Sequence, residues 1–167
     1  LSVRMNKDVM DLFDSMDVMD PVEQKARYEV QLEQYVQRIE IESLVLENLV
    51  NNQILPTAFK YQSVLIENVK GLKDIYGDGF SKHAPVAMSS IEKISGLIDK
   101  LATACGTLVK ERTKANSMSK LDDQAQMYAK NVLPVFDKIR ECVDGLELIV
   151  DDSAWPLVKY RELLFLR

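Results

Sequence analysis

Apolar residues recur three and four positions apart through most of this chain, the spacing that collects them on one face of an α-helix. Val9, Leu12, Phe13 and Met16 mark a short amphipathic helix over residues 6–16, suited to docking or to connecting. Asp20, Pro21 and Glu23 then make a start signal. The aspartate can cap free amides, proline suits the first helical position, and the glutamate can reach back as in a capping box. From there Leu32, Val36, Ile39, Leu46 and Val50 carry one stripe, with Ser43 filling a stripe position. The pattern predicts a helix from Pro21 to Leu55, about 50 Å long at the usual rise per residue. Pro56 lacks an amide and disfavours helical geometry at Leu55, so a kink or break is predicted across residues 51–56, where Asn51, Asn52 and Gln53 add polarity.

A second stripe, Ala58, Tyr61, Leu65, Leu72 and Ile75, is interrupted by Asn68 and ends at Gly77, Asp78 and Gly79. Residues 80–85 read as a loop. Ile91, Ile94, Ile98, Leu101, Cys105 and Leu108 form the cleanest helical repeat, ending among the basic and small polar residues of 112–119. The last long stripe comprises Leu121, Ala125, Tyr128, Val132, Phe136, Ile139, Val143, Leu146 and Ile149, mildly broken by Pro134. Asp151 and Asp152 then precede a shorter helix from near Pro156, with Asp152 or Ser153 as its cap. Amphipathic helices joined by short polar connections pack most simply as antiparallel neighbours. The predicted fold is all-α: an elongated antiparallel bundle of about four long helices with short flanking helices. Residues 1–20 would connect, 21–150 form the bundle, and 151–167 cap or dock. No repeat of solenoid length is visible.

Composition supports that class and narrows the partners. Only 6 glycines and 5 prolines punctuate 167 residues, too few for many short strands, and 47% hydrophobic residues suffice for one core. The net charge of −5 offers no attractive field to nucleic acid or anionic lipid. No apolar run approaches the roughly 20 residues that span a bilayer, and no signal peptide opens the chain, so no membrane partner and a cytoplasmic location are expected. The first residue, Leu1, suggests an upstream portion. Cys105 and Cys142 lack metal or redox spacing and read as reduced core thiols.

Candidate chemistry is sparse. No phosphate loop, nucleophile elbow or paired Glu-x-x-His set is present. His83, the sole histidine, sits in a predicted loop with no local catalytic partner, and Asp144, Glu147, Asp151 and Asp152 match no calcium loop. Tyr28, Tyr35, Tyr61 and Tyr128 suit core or core-edge packing. Ser43 and Asn68, polar residues inside apolar stripes, are candidates to fix helix register. Trp155, Pro156, Leu157, Tyr160, Leu163, Leu164 and Phe165 crowd large apolar groups into the last dozen or so residues, to close the bundle or to dock on another domain or subunit.

The ending Asp151-Asp152-Ser153-Ala154-Trp155-Pro156-Leu157-Val158-Lys159-Tyr160-Arg161-Glu162-Leu163-Leu164-Phe165 resembles the C-terminus of type III glutamine synthetases. Ala26-Arg27-Tyr28-Glu29, Ile41-Glu42-Ser43, Leu55-Pro56-Thr57-Ala58, Tyr61-Gln62 and the run from Leu65 to Lys73 resemble the same family in the same order. Val158 departs from it, standing where the family has proline. Between residues 75 and 130 the likeness is in helical character alone. The resemblance implies a parent enzyme that joins ammonia to glutamate with ATP, through a phosphorylated glutamate, in a double-ring homo-oligomer. ATP and a divalent metal, Mg or Mn, would belong to that parent; no catalytic, cofactor-binding or metal-binding residue carries over to this chain. It implies a structural or assembly segment partnered by the catalytic portion of the same protein and by neighbouring subunits. Trp155, Pro156, Leu157, Tyr160, Leu164 and Phe165 are the docking candidates. The alternative is a stand-alone helical interaction module that takes a partner helix in a groove.

Overall fold

Asp20 starts the chain's long helical course as the sequence predicts: its Oδ1 accepts from the Glu23 amide at 2.7 Å, capping the helix that begins at Pro21. Glu23 does not complete a capping box; its carboxylate instead accepts from Arg27 at 2.8 and 3.1 Å, one turn on. Asp20→Ala should cost about 1 kcal/mol, the usual worth of a side-chain N-cap, read as a lowered midpoint in urea.

The computed structural model describes residues 5–164, without the side chains of Tyr160 and Arg161. The described residues form helices and turns with no strand, an all-α bundle. The helices are α1 (Lys7–Ser15), α2 (Pro21–Leu49), α3 (Leu55–Tyr76), α4 (Pro85–Asn116), α5 (Leu121–Met127), α6 (Leu133–Glu147) and α7 (Tyr160–Leu164). Packing divides them into two compact units. One holds the described residues up to Leu44 together with Val109–Pro134; the other holds Val45–Leu108 and the described residues from Val135 onward. Within the first, Asn116 Nδ2 donates to Glu40 at 2.6 Å and Arg112 lies 3.4 Å from the Ser43 hydroxyl, so those stretches of α2 and α4 run antiparallel. Within the second, Gln62 donates to Ser95 at 2.7 Å, and Cys105 lies 4.0 Å from Asn51, so α3 and α4 also run antiparallel.

The break expected at residues 51–56 is absent. Val50–Ile54 form a π-helical turn that passes directly into α3, and Leu55 is fully helical at φ −59° and ψ −46°. The Leu55 amide donates to the Val50 carbonyl, five residues back. Widening the backbone by one residue makes room where a proline ring would otherwise meet the carbonyl four residues earlier. Pro134 is accommodated the same way: Tyr128–Val132 form a second π turn, and the Leu133 amide donates to Tyr128.

Burial follows the predicted stripes with three corrections. Leu32, Val36, Ile39, Ser43 and Val50 are buried, as are Ile94, Ile98, Leu101, Cys105 and Leu108. Along α6, however, Val135 and Cys142 are the buried residues, while Phe136 and Val143 lie at the edge. Along α3, Ala58 is buried but Ile75 is 74% exposed, and Asn68 is exposed, which removes it as a buried register-fixing residue. The predicted loop after α3 is a 3-10 turn, Gly77–Lys82, entered through Gly77 at φ 57°, a conformation glycine adopts without strain.

Candidate docking surface

The C-terminal segment begins with a turn rather than the helix expected from Pro156. Asp151 Oδ1 accepts from the Ser153 amide at 2.8 Å and from the Ser153 hydroxyl. Those bonds hold its carboxyl below the usual carboxylate range. Asp152 engages the Lys159 ammonium instead of capping a helix. The helix itself, α7, starts at Tyr160, and Glu162 reaches back to accept from the Lys159 amide at 3.0 Å. Pro156 and Val158 lie on either side of a bend at Leu157, in the irregular stretch between turn and helix.

The docking candidates separate by environment. Trp155 is only 8% exposed, and Leu157, half-buried, borders a cleft of about 480 Å³ whose walls include Leu49, Ile54 and Phe136. Both are engaged within the second unit. Pro156 is exposed, and Leu164, at 79%, presents nearly its whole side chain, with Leu163 exposed beside it. The Tyr160 side chain and Phe165 lie outside the described residues.

The other candidates resolve into structural roles. His83 stacks on Tyr76, ring centroids 4.0 Å apart and planes 18° from parallel, at the α3–α4 corner. Asp144 pairs loosely with Arg140 at 3.7 Å, and no group of three or more metal-ligating side chains converges among the described residues. Tyr35 and Tyr61 are half-buried at the core edge, and Tyr28 donates to Asp122, which raises its pKa. Burial pushes the Cys142 thiol up, and both cysteines are buried thiols outside any disulfide. No described helix is long and apolar enough to cross a membrane.

Sequence reasoning missed a polar network in the first unit. Tyr128, fully buried, donates to Asn116 Oδ1 at 2.6 Å; Gln124 reaches the same oxygen at 3.4 Å, and Asn116 donates on to Glu40. Burial first, and the Glu40 charge second, push the Tyr128 phenol up to about 12. Ser43, in the same unit, bonds its own helix through the Glu40 carbonyl at 2.7 Å and receives Arg112. Polar side chains in this set join helices to one another.

Residues 1–73 match the glutamine synthetase C-terminal domain family. A glutamine synthetase from Bacteroides fragilis (strain YCH46) is 36% identical over 153 residues, covering 89% of this chain and 20% of that protein. The chain belongs with the C-terminal domains of glutamine synthetases. A type-3 glutamine synthetase from Dictyostelium discoideum is 31% identical over 160 residues, 93% of this chain and 21% of that protein, matching the type III resemblance. A third, from Butyrivibrio fibrisolvens, is 27% identical over 157 residues. The chain spans about a fifth of the length of these glutamine synthetases. The family match covers α1, α2 and most of α3, while the pairwise likenesses extend over nearly the whole chain.

Proposed function

We propose that this chain is the non-catalytic, helical C-terminal segment of a type III glutamine synthetase, and that it serves the structure or assembly of the parent enzyme. The parent reaction is the ATP-dependent ligation of ammonia to glutamate in the cytoplasm. ATP and its divalent metal, Mg or Mn, are held by the catalytic portion, and the segment's partners are that portion and neighbouring subunits of a homo-oligomer. The observation that carries this reading is the alignment: 89% of the chain is matched by 20% of a glutamine synthetase. The structure supports a packing role through α7. A helix of five residues has no stability of its own in water, and this one directs Leu163 and Leu164 outward, so a partner surface would complete it.

Two measurements test the proposal. The 167-residue chain should form no glutamine from glutamate, ammonia, ATP and magnesium, whereas the longer polypeptide that carries it should. In that polypeptide, Leu163→Ser with Leu164→Ser should weaken assembly, seen as smaller species by sedimentation, because each buried leucine contributes about 1.5 kcal/mol or more. Activity in the isolated chain would overturn the non-catalytic reading; unchanged assembly in the double variant would overturn the role given to α7.

A further inference from the structure

Burial alternates along the short strap that leads from the Asp151 turn to α7. Trp155 is 8% exposed, Pro156 lies outside, Leu157 is half-buried and Val158 is 65% exposed. The Lys159 side chain then turns in again, with only 14% of it exposed. The first two inward residues are apolar and anchor the strap to the second unit. The third is a cation, one residue before α7 begins. Its ammonium gives up water at that position, and the Asp152 carboxylate, seven positions back, meets it. The contact closes residues 152–159 into a loop that carries the buried Trp155.

Stability alone gives no reason for a lysine here. Exchanging a shielded ion pair for an apolar contact is often neutral or stabilising, so a third apolar anchor would hold the strap about as well. What the pair adds is direction. Asp152 stands in the turn that Asp151 and Ser153 hold together. The Lys159 backbone carries the first turn of α7: its amide donates to Glu162, and its carbonyl accepts from the Glu162 and Leu163 amides at 2.9 and 3.3 Å. One residue thus ties the start of the helix, through its side chain, to the turn before the strap. We propose that the Asp152–Lys159 pair is a latch that sets the direction of α7 and so presents Leu163 and Leu164 to the surface they dock on. The latch rests on the assembly role proposed for α7, and Lys159 is a positioning residue for that docking.

The test introduces Lys159→Met, which keeps a long inward side chain and removes its charge, into the longer polypeptide that carries this chain. The concentration at which the assembly half-dissociates, followed by sedimentation, should rise about tenfold or more. In the 167-residue chain the same variant should move the urea midpoint, read through Trp155 fluorescence, by less than about 0.3 M. Asp152→Asn should weaken assembly as Lys159→Met does. The two together should weaken it no further than either alone, because both remove the same contact. Leu163→Ser with Leu164→Ser, run alongside, separates the two claims. Assembly that falls in the leucine variant and is indifferent to Lys159→Met overturns the latch and leaves the role of α7 standing. Assembly indifferent to both sets overturns both. Additive effects of Asp152→Asn and Lys159→Met would also overturn the latch. So would a clearly lowered urea midpoint, which would make Lys159 an ordinary part of the core.

Discussion

Tyr128→Ala should destabilise the first unit by about 3–5 kcal/mol, the cost of removing a fully buried aromatic side chain and leaving a cavity. Tyr128→Phe keeps the ring and removes only the hydroxyl bonded to Asn116 at 2.6 Å, so about 1 kcal/mol is expected. The difference between the two variants separates packing from hydrogen bonding, and far-UV circular dichroism in urea reads both. A pH series adds an independent check. The folded phenol titrates at about 12, above the ordinary 10.0, so the native state holds its proton more tightly than the unfolded chain does. That contribution is fully present below pH 10 and is lost as pH rises from 10 towards 12. The stability gap between the native protein and Tyr128→Phe should therefore narrow across that window. A gap that stayed constant would mean that the phenol is not held neutral by its burial.

Helix identity was legible because the stripes through Leu32 to Val50, Ile94 to Leu108 and Ala125 to Leu146 repeat at the helical period, and all three are buried along most of their length. At Pro56 a widened turn stands in place of a break, and the mild interruption at Pro134 takes the same form, because a proline's local chemistry is the same whether a helix breaks or widens. Only after the π turns are known does the likeness of Gln53-Ile54-Leu55-Pro56 to Asn131-Val132-Leu133-Pro134 become a signal. The α3 stripe failed for another reason. Ile75 and Asn68 stand on a helix end that the described residues do not cover, and periodicity says which residues share a face without saying that something lies against it. The Tyr128 network was out of reach of any local pattern, since Glu40 and Asn116 lie 76 positions apart. The docking candidates were found as a group from their apolar density. Their division into an engaged Trp155 and an outward Leu164 depends on the turn built by Asp151 and on Lys159 being held by Asp152, neither of which spacing reveals.

The phase of α6 gives the other large effect. Val135 and Phe136 are adjacent and apolar, as are Cys142 and Val143, so three- and four-residue spacing from Val132 admits either member of each pair. The bulkier phenylalanine made position 136 the natural choice, yet the centre of the buried strip passes through Val132, Val135, Ile139, Cys142 and Leu146. Close approach on this face is visible at Gly145, where a Cβ would stand 3.1 Å from Leu97 of α4. Val135→Asp should therefore cost about 4 kcal/mol or more, because a carboxylate at that buried site loses most of its water. The loss should ease at low pH, where the introduced carboxyl is neutral and its desolvation is cheaper. Lys138→Asp, one turn on at an exposed position, should change stability by no more than about 0.5 kcal/mol. Trp155, the sole tryptophan and buried in the same unit, reports both variants through its fluorescence during urea unfolding. Equal costs at positions 135 and 138 would show that α6 does not present the face described.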